Sequence, residues 1–184
     1  MVAGMIAGIV LVVLILVVVS GYNKLVRQKV IIEEAFATMD VYFKKRFDLI
    51  PNVVESVKGY AKHEEETLAK VITLRNGSYS SMTAEEKIEN STAISKEIPK
   101  IIALAEAYPE LKANQNFMEL TVQLKRVEED IANARKYYNG AVRNYNMTVQ
   151  TIPTNIIASL FHFETKPMFE ISNTQERENV QVKF

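Results

Sequence analysis

The sequence predicts an all-α protein with three parts. These are an N-terminal transmembrane helix (residues 1–21), an antiparallel four-helix bundle with coiled-coil-like packing (22–153), and a C-terminal amphipathic turn with a short extended tail (154–184). Three observations lead there. Residues 2–19 are all apolar or glycine, and the first charged side chain is Lys24. Beyond them, apolar residues recur at three- and four-residue spacing, the mark of amphipathic helices. Glycine and proline are few, 6 and 5 in 184 residues, which favours long helices over a sheet rich in tight turns.

A hydrocarbon core of about 30 Å takes roughly 20 helical residues to cross, so the apolar run with its flanks is long enough. A core helix of a soluble domain would carry a polar stripe, and this run has none. A cleaved signal peptide starts with a basic region, and nothing basic precedes this run, although residues 18–21 loosely resemble a cleavage site. A retained anchor is therefore expected. Lys24, Arg27 and Lys29 follow the span, and Tyr22 stands where an interfacial aromatic belongs. The excess of basic residues on this side places the C-terminal domain in the cytoplasm and the N-terminus outside. Gly4 and Gly8, paralleled by Ala3 and Ala7, form a small-residue face that lets two helices approach closely in lipid. The same spacing arises by chance in a span this rich in small residues, so self-association through it is an expectation only.

Four amphipathic helices are expected after the span. The first, 22–47, presents Leu25, Ile32, Ala35, Met39 and Tyr42, widened by Phe36, Phe43 and Phe47. Asp48 reads as the N-cap of the second, 48–76, with Pro51 tolerated in its first turn, where a missing N–H costs nothing. That helix carries Val54, Val57, Ala61, Leu68 and Val71, and Asn76-Gly77 should end it. Thr83 and Glu86 form a capping box that opens the third helix, 84–107, which carries Ile88, Ile98, Ile102 and Ala105, contains Pro99 and stops near Tyr108-Pro109. The fourth, 116–152, has the clearest pattern. From Phe117 through Leu120, Leu124, Val127, Ile131, Ala134, Tyr138, Ala141, Tyr145 and Thr148 to Ile152 the steps alternate between three and four residues. That is a heptad seam held for about five repeats, with Asn116 as its N-cap and Pro153 as its stop. Short connections make neighbouring helices antiparallel. Residues 154–163, with Thr154 as cap, would then lie near the bilayer as a lid on the open bundle end, or as a shallow interfacial segment. Val180, Val182 and Phe184 alternate with polar residues, so the tail should be extended and docked on the bundle or on another subunit.

A set of sequence blocks opens at Tyr22-Asn23-Lys24-Leu25-Val26 and Asp40-Val41, and is densest at Lys45-Arg46-Phe47-Asp48-Leu49-Ile50-Pro51-Asn52. It continues through Val57-Lys58-Gly59-Tyr60-Ala61, His63-Glu64, residues 104–113 and Asn116-Phe117. Arg135-Lys136-Tyr137-Tyr138-Asn139, Val142, Tyr145-Asn146 and Val182-Lys183-Phe184 complete it. With these blocks in this order, the chain resembles the LemA family of bacterial membrane proteins. Phe36, where the family often has tryptophan, Pro99 and Ile152 depart from the pattern. The resemblance implies a single-pass protein of the bacterial inner membrane with a cytoplasmic helical bundle, and it brings no established catalytic residues.

Composition narrows the function classes. Equal numbers of basic and acidic residues, 22 each, remove the electrostatic footprint of a nucleic-acid binder. Without cysteine there is no disulfide, thiolate metal site or thiol nucleophile. Neither His63 nor His162 completes a Glu-x-x-His or His-Glu-x-x-His pattern, and no glycine-rich phosphate loop or nucleophile elbow occurs. The expectation is therefore no catalytic residue, no cofactor and no metal. Two constellations stand out: Asp40, Lys44, Lys45, Arg46, Asp48 and Asn52 at the first interhelical corner, and Tyr137, Tyr138, Asn139, Tyr145 and Asn146 on the last helix. The run 62–66 reads as a solvated charged face. Expected partners are the lipid bilayer, a second copy through Gly4, Gly8 and the C-terminal tail, and another membrane protein. The functional expectation is a self-associating, membrane-tethered helical scaffold; the alternatives are a lipid-organising protein and an adaptor for a membrane protease or transport system.

Overall fold

The computed structural model describes residues 1–60, 65–74 and 78–169, and for residues 65–67 and 104–106 the backbone alone. Among the described residues every regular element is helical: α1 (Val2–Lys58), α2 (Glu65–Leu74), α3 (Ala84–Ala107), α4 (Pro109–Ala113), α5 (Gln115–Gln150) and α6 (Thr154–Leu160), with a 3-10 turn at Tyr79–Ser81. The expected end of a helix at Asn76-Gly77, the charged run 62–66 and the tail at 180–184 have no described side chains.

The largest departure from expectation is α1, which does not break at Asp48. It runs as one helix of 57 residues through Pro51. An internal proline costs about 3 kcal/mol, because it removes one backbone hydrogen bond and crowds the preceding turn. Against that, Ile50, Val53, Val54 and Val57 are at most 2 % exposed, and burying each contributes about 1.5–3 kcal/mol. They continue the face of Met39, Phe43 and Phe47 in helical register, which a break at residue 48 would destroy. Asp48 is consequently not a cap. It lies on the exposed side and pairs with Lys44 one turn back. The chain turns after Lys58, where the Tyr60 N–H donates to Val57 O at 2.9 Å.

Two compact units divide the molecule: Met1–Glu34 with Tyr137–Phe184, and Ala35–Lys136. In the second unit Ala35, Met39, Phe43 and Phe47 of α1 join Leu68 and Val71 of α2, Ile94, Ile98 and Ile101 of α3, Leu111 of α4, and Phe117, Leu124, Val127 and Ile131 of α5 in the buried core. The capping box opens α3 as expected: Thr83 N–H donates to Glu86 Oε2 at 2.7 Å, and Glu86 N–H to Thr83 Oγ1 at 3.2 Å. Pro99 lies inside α3 without ending it. The inward face of α3 falls on Ser91, Ile94, Ile98 and Ile101, a register different from the expected Ile88, Ile98 and Ile102. The α5 cap is Asn114 and not Asn116: its Oδ1 accepts from Phe117 N–H at 3.0 Å.

In the first unit, residues 2–19 of α1 are almost wholly exposed, and this is the one stretch of the described residues long and apolar enough to cross a membrane. Farther along, Leu25 and Ile32 of α1, Tyr138, Ala141, Val142, Tyr145 and Thr148 of α5, and Ile157 and Ala158 of α6 are buried. The heptad seam of α5 is thus buried from Phe117 to Thr148, with Leu120 half-buried. It stops there, because Ile152 lies past the helix end and is 77 % exposed. Thr154 does not cap α6; Pro153 holds the cap position, and the Thr154 hydroxyl donates back to Thr151 O at 2.8 Å.

Candidate functional site

The most unusual group in the second unit is Arg46, a charged side chain only 1 % exposed. It stands on the buried face of α1 between Phe43 and Ile50, where the pattern asks for an apolar residue. Its Nη1 donates to Ser95 Oγ and to Glu128 Oε1, both at 2.6 Å. Its Nη2 donates to Ser91 O at 2.6 Å and to Ser91 Oγ. Ser95 Oγ in turn donates to Glu128 Oε2 at 3.2 Å, and Arg135 Nη2 reaches Ser91 Oγ at 3.4 Å. Both guanidinium groups lie over the ring of Phe43, at 5.9 and 6.0 Å from its centre. Two buried nitrogens of the cluster, Arg46 Nε and Arg135 Nε, have no hydrogen-bond partner among the described residues. Burial pushes the Arg46 pKa down, while the charge and hydrogen bonds of Glu128 pull it up. An arginine starts so high that it stays charged. The cluster therefore joins α1, α3 and α5 through one fixed cation.

A second cluster holds the 3-10 turn against α1. The Tyr79 hydroxyl donates to Asp40 Oδ1 at 2.5 Å, and Lys87 Nζ pairs with Asp40 Oδ2 at 2.8 Å. Lys87 also lies 4.9 Å above the Tyr79 ring, and that ring packs on Phe47 at 5.2 Å. Burial, then the hydrogen bond and charge of Asp40, raise the Tyr79 pKa well above the ordinary phenol range. Beside this turn a shallow groove of about 450 Å³ includes Glu86, Glu89 and Asn90 in its lining. Two of its polar groups already have local work: Glu86 closes the capping box, and Asn90 Nδ2 donates to Leu74 O, the terminal carbonyl of α2, at 2.5 Å.

The first unit holds a third arrangement. Asn146 Nδ2 donates to Lys166 O and its Oδ1 accepts from Lys166 N–H, both at 2.8 Å. Asn139 treats Phe169 identically, at 2.9 and 2.7 Å. The two asparagines are seven residues apart on α5, roughly 10.5 Å along a helix. Lys166 and Phe169 are three residues apart, roughly 10 Å in an extended chain. The match lets two amides clamp the backbone that follows α6, and Tyr138 adds a bond from its hydroxyl to Pro167 O at 3.5 Å. Tyr145 is buried, and burial followed by the charge of Glu164 raises its pKa. Tyr137, off the seam, is 57 % exposed.

The two constellations singled out in the sequence fare differently. The group around Arg46 is no interhelical corner, because α1 continues through it. Asp40 and Arg46 turn inward to partners on other elements, while Lys44, Lys45, Asp48 and Asn52 are exposed. Sequence reasoning missed Ser91, Ser95 and Glu128 as partners and the clamping role of Asn139 and Asn146. Extending the seam of α1 past Met39 would have placed Arg46 inside, and the seven-residue spacing would have placed the asparagines on one face. Among the described residues no group of three His, Asp or Glu side chains stands close enough to hold a metal ion.

Comparison with known proteins agrees with the resemblance read from the sequence. The LemA family profile matches residues 35–184, so the block at residues 22–26 lies before the matched stretch. The chain is also 24 % identical over 160 residues to Protein LemA of Metamycoplasma hominis, an alignment covering 86 % of this chain and 73 % of that protein.

Proposed function

Because this chain belongs to the LemA family, we propose that it acts as a membrane-tethered helical scaffold, built to hold proteins together and not to catalyse a reaction. The observation that carries the reading is the exposed apolar stretch of α1, residues 2–19, continuous in one helix with residues of the folded core. Bare in water, such a surface would aggregate; in a bilayer it anchors. The basic residues Lys24, Arg27 and Lys29 orient the folded part toward the cytoplasm of the cell whose inner membrane it occupies. The helices α1, α2, α3 and α5 form an antiparallel bundle in this reading. Contact register supports it: on α1, Gln28 meets Asn144 and Arg46 meets Glu128, so rising numbers on α1 go with falling numbers on α5.

Copies meet through the span, where Gly4 and Gly8 have open space around them. Mass photometry of the full chain in nanodiscs and mild detergent tests this. Discrete oligomers, reverting to monomers in Gly4→Leu and Gly8→Leu, are expected. Monomers at every concentration would count heavily against the self-assembling scaffold.

A further inference from the structure

The short helix α6 carries apolar residues on two sides, and the fold uses one of them. Ile157 and Ala158 are buried, and the tip of Ile157 fills the space that a side chain at Gly21 would need. Phe161, one turn after Ile157, packs edge-on against Tyr22 at 4.9 Å, and Phe163 does so at 5.6 Å. Gly21 and Tyr22 follow the apolar run, which ends at Val19. These contacts therefore seat α6 within one helical turn of the point where the run ends. Its other side is bare: Ile156 and Leu160 are each 66 % exposed and Phe161 keeps 44 %, while Ile152, just before the helix, is 77 % exposed. Ile156 and Leu160 are four residues apart, so they share one face.

We propose that this outer row, Ile152, Ile156, Leu160 and Phe161, lies in the lipid of the membrane interface. It would make α6 a second, shallow membrane contact beside the anchor. The inference rests on the reading of α1 as a membrane tether. Lipid is the occupant that the geometry favours. A bilayer that takes residues 2–19 reaches α6 without further movement of the chain, because Tyr22 and Gly21 hold it there. Four side chains are far fewer than the roughly 20 residues on each side of a stable protein interface. The flanks have the composition of an interfacial zone: aromatic Tyr22 and Phe161, with exposed Lys24, Arg27, His162 and Lys166 suited to headgroups. The inner face of α6 packs on Gly21 and Tyr22 of α1, and the outer face does the additional work.

The absence of cysteine allows a single label at any chosen position. Nitroxide labels on Ile156→Cys, Leu160→Cys and Ile152→Cys, in the full chain in phosphatidylcholine–phosphatidylglycerol nanodiscs, would be read for collision with oxygen and with a water-soluble nickel chelate. Leu11→Cys serves as the lipid reference and Glu119→Cys as the water reference, with helix content checked by circular dichroism. The expected result is an oxygen-to-nickel ratio at 156 and 160 severalfold above that at 119 and approaching that at 11. Water-like values at 156 and 160, with Leu11→Cys in lipid, would overturn the inference and leave the tether intact. Exclusion of both reagents there would overturn it in favour of a covering protein. A water-like value at Leu11→Cys would end the tether reading and this inference with it.

Discussion

At Arg46 a permanent charge occupies a position flanked on the same helix face by Phe43 and Ile50. Burying a charge is tolerable only when its hydrogen bonds are met, and here four acceptors on α3 and α5 meet them. Replacing such a network by apolar groups is often neutral, whereas removing one partner is costly. Glu128→Ala should lower the unfolding free energy by about 3 kcal/mol, the low end for a broken buried pair, since Glu128 keeps 28 % of its side chain exposed. Arg46→Lys should also destabilise, by about 1–3 kcal/mol, because an ammonium cannot reach acceptors on both sides at once. Urea unfolding followed by circular dichroism measures both. A cost under about 1 kcal/mol for Glu128→Ala would mean that the pair behaves as a surface one. Tyr79 supplies a pH signature. Its pKa is raised in the folded state, so below the ordinary value of about 10 both states keep the proton. Above that value only the folded state keeps it, and stability falls as pH climbs. In Tyr79→Phe this part of the alkaline loss should vanish, which denaturation midpoints between about pH 8 and pH 11 would reveal.

Elements are defined by register more than by local breakers. Pro51 discriminates between the helix break expected from sequence and the continuous α1. In the first turn of a new helix, Pro51→Ala would be neutral. Inside α1 it restores a donor for Phe47 O and relieves crowding, so the melting temperature should rise, by the equivalent of about 1–3 kcal/mol. An unchanged or lowered melting temperature would argue for a break at Asp48. The asparagine clamp makes a separate claim about α5. Asn139→Leu removes both bonds to Phe169, and hydrogen exchange at the Phe169 amide should accelerate by about tenfold, the equivalent of about 1.4 kcal/mol. Unchanged exchange would mean that neighbouring packing, and not the clamp, holds this segment.

At the scale of the whole molecule, the proposed tether makes the apolar terminus responsible for the protein's place in the cell. In the proposed reading a charge near the middle of the span costs about 2.5–3.5 kcal/mol on an insertion scale. Two of them, Val10→Asp with Leu14→Asp, should move the protein out of the membrane fraction after an alkaline carbonate wash. A double variant that still sediments with membranes would remove the tether as the reason for its location.

Some of this was legible in the residues themselves. Helical content, the apolar span, the Thr83–Glu86 capping box and the buried seam of α5 follow from patterns within a few turns of chain. Such patterns depend on hydrogen bonding and burial that neighbours in sequence already specify. The LemA family was also legible, since its matching blocks keep their order along the chain. What only tertiary structure decided involves partners far apart in sequence. Pro51 stays inside a helix because the burial of Ile50, Val53, Val54 and Val57 outweighs its local cost. Arg46 turns inward because Ser91, Ser95 and Glu128, more than 40 residues away, satisfy it. Asn139 and Asn146 become clamps only when the chain after α6 returns along α5. Local propensity differs among alternatives by about a kilocalorie per residue, so long-range burial and hydrogen bonding settle such choices.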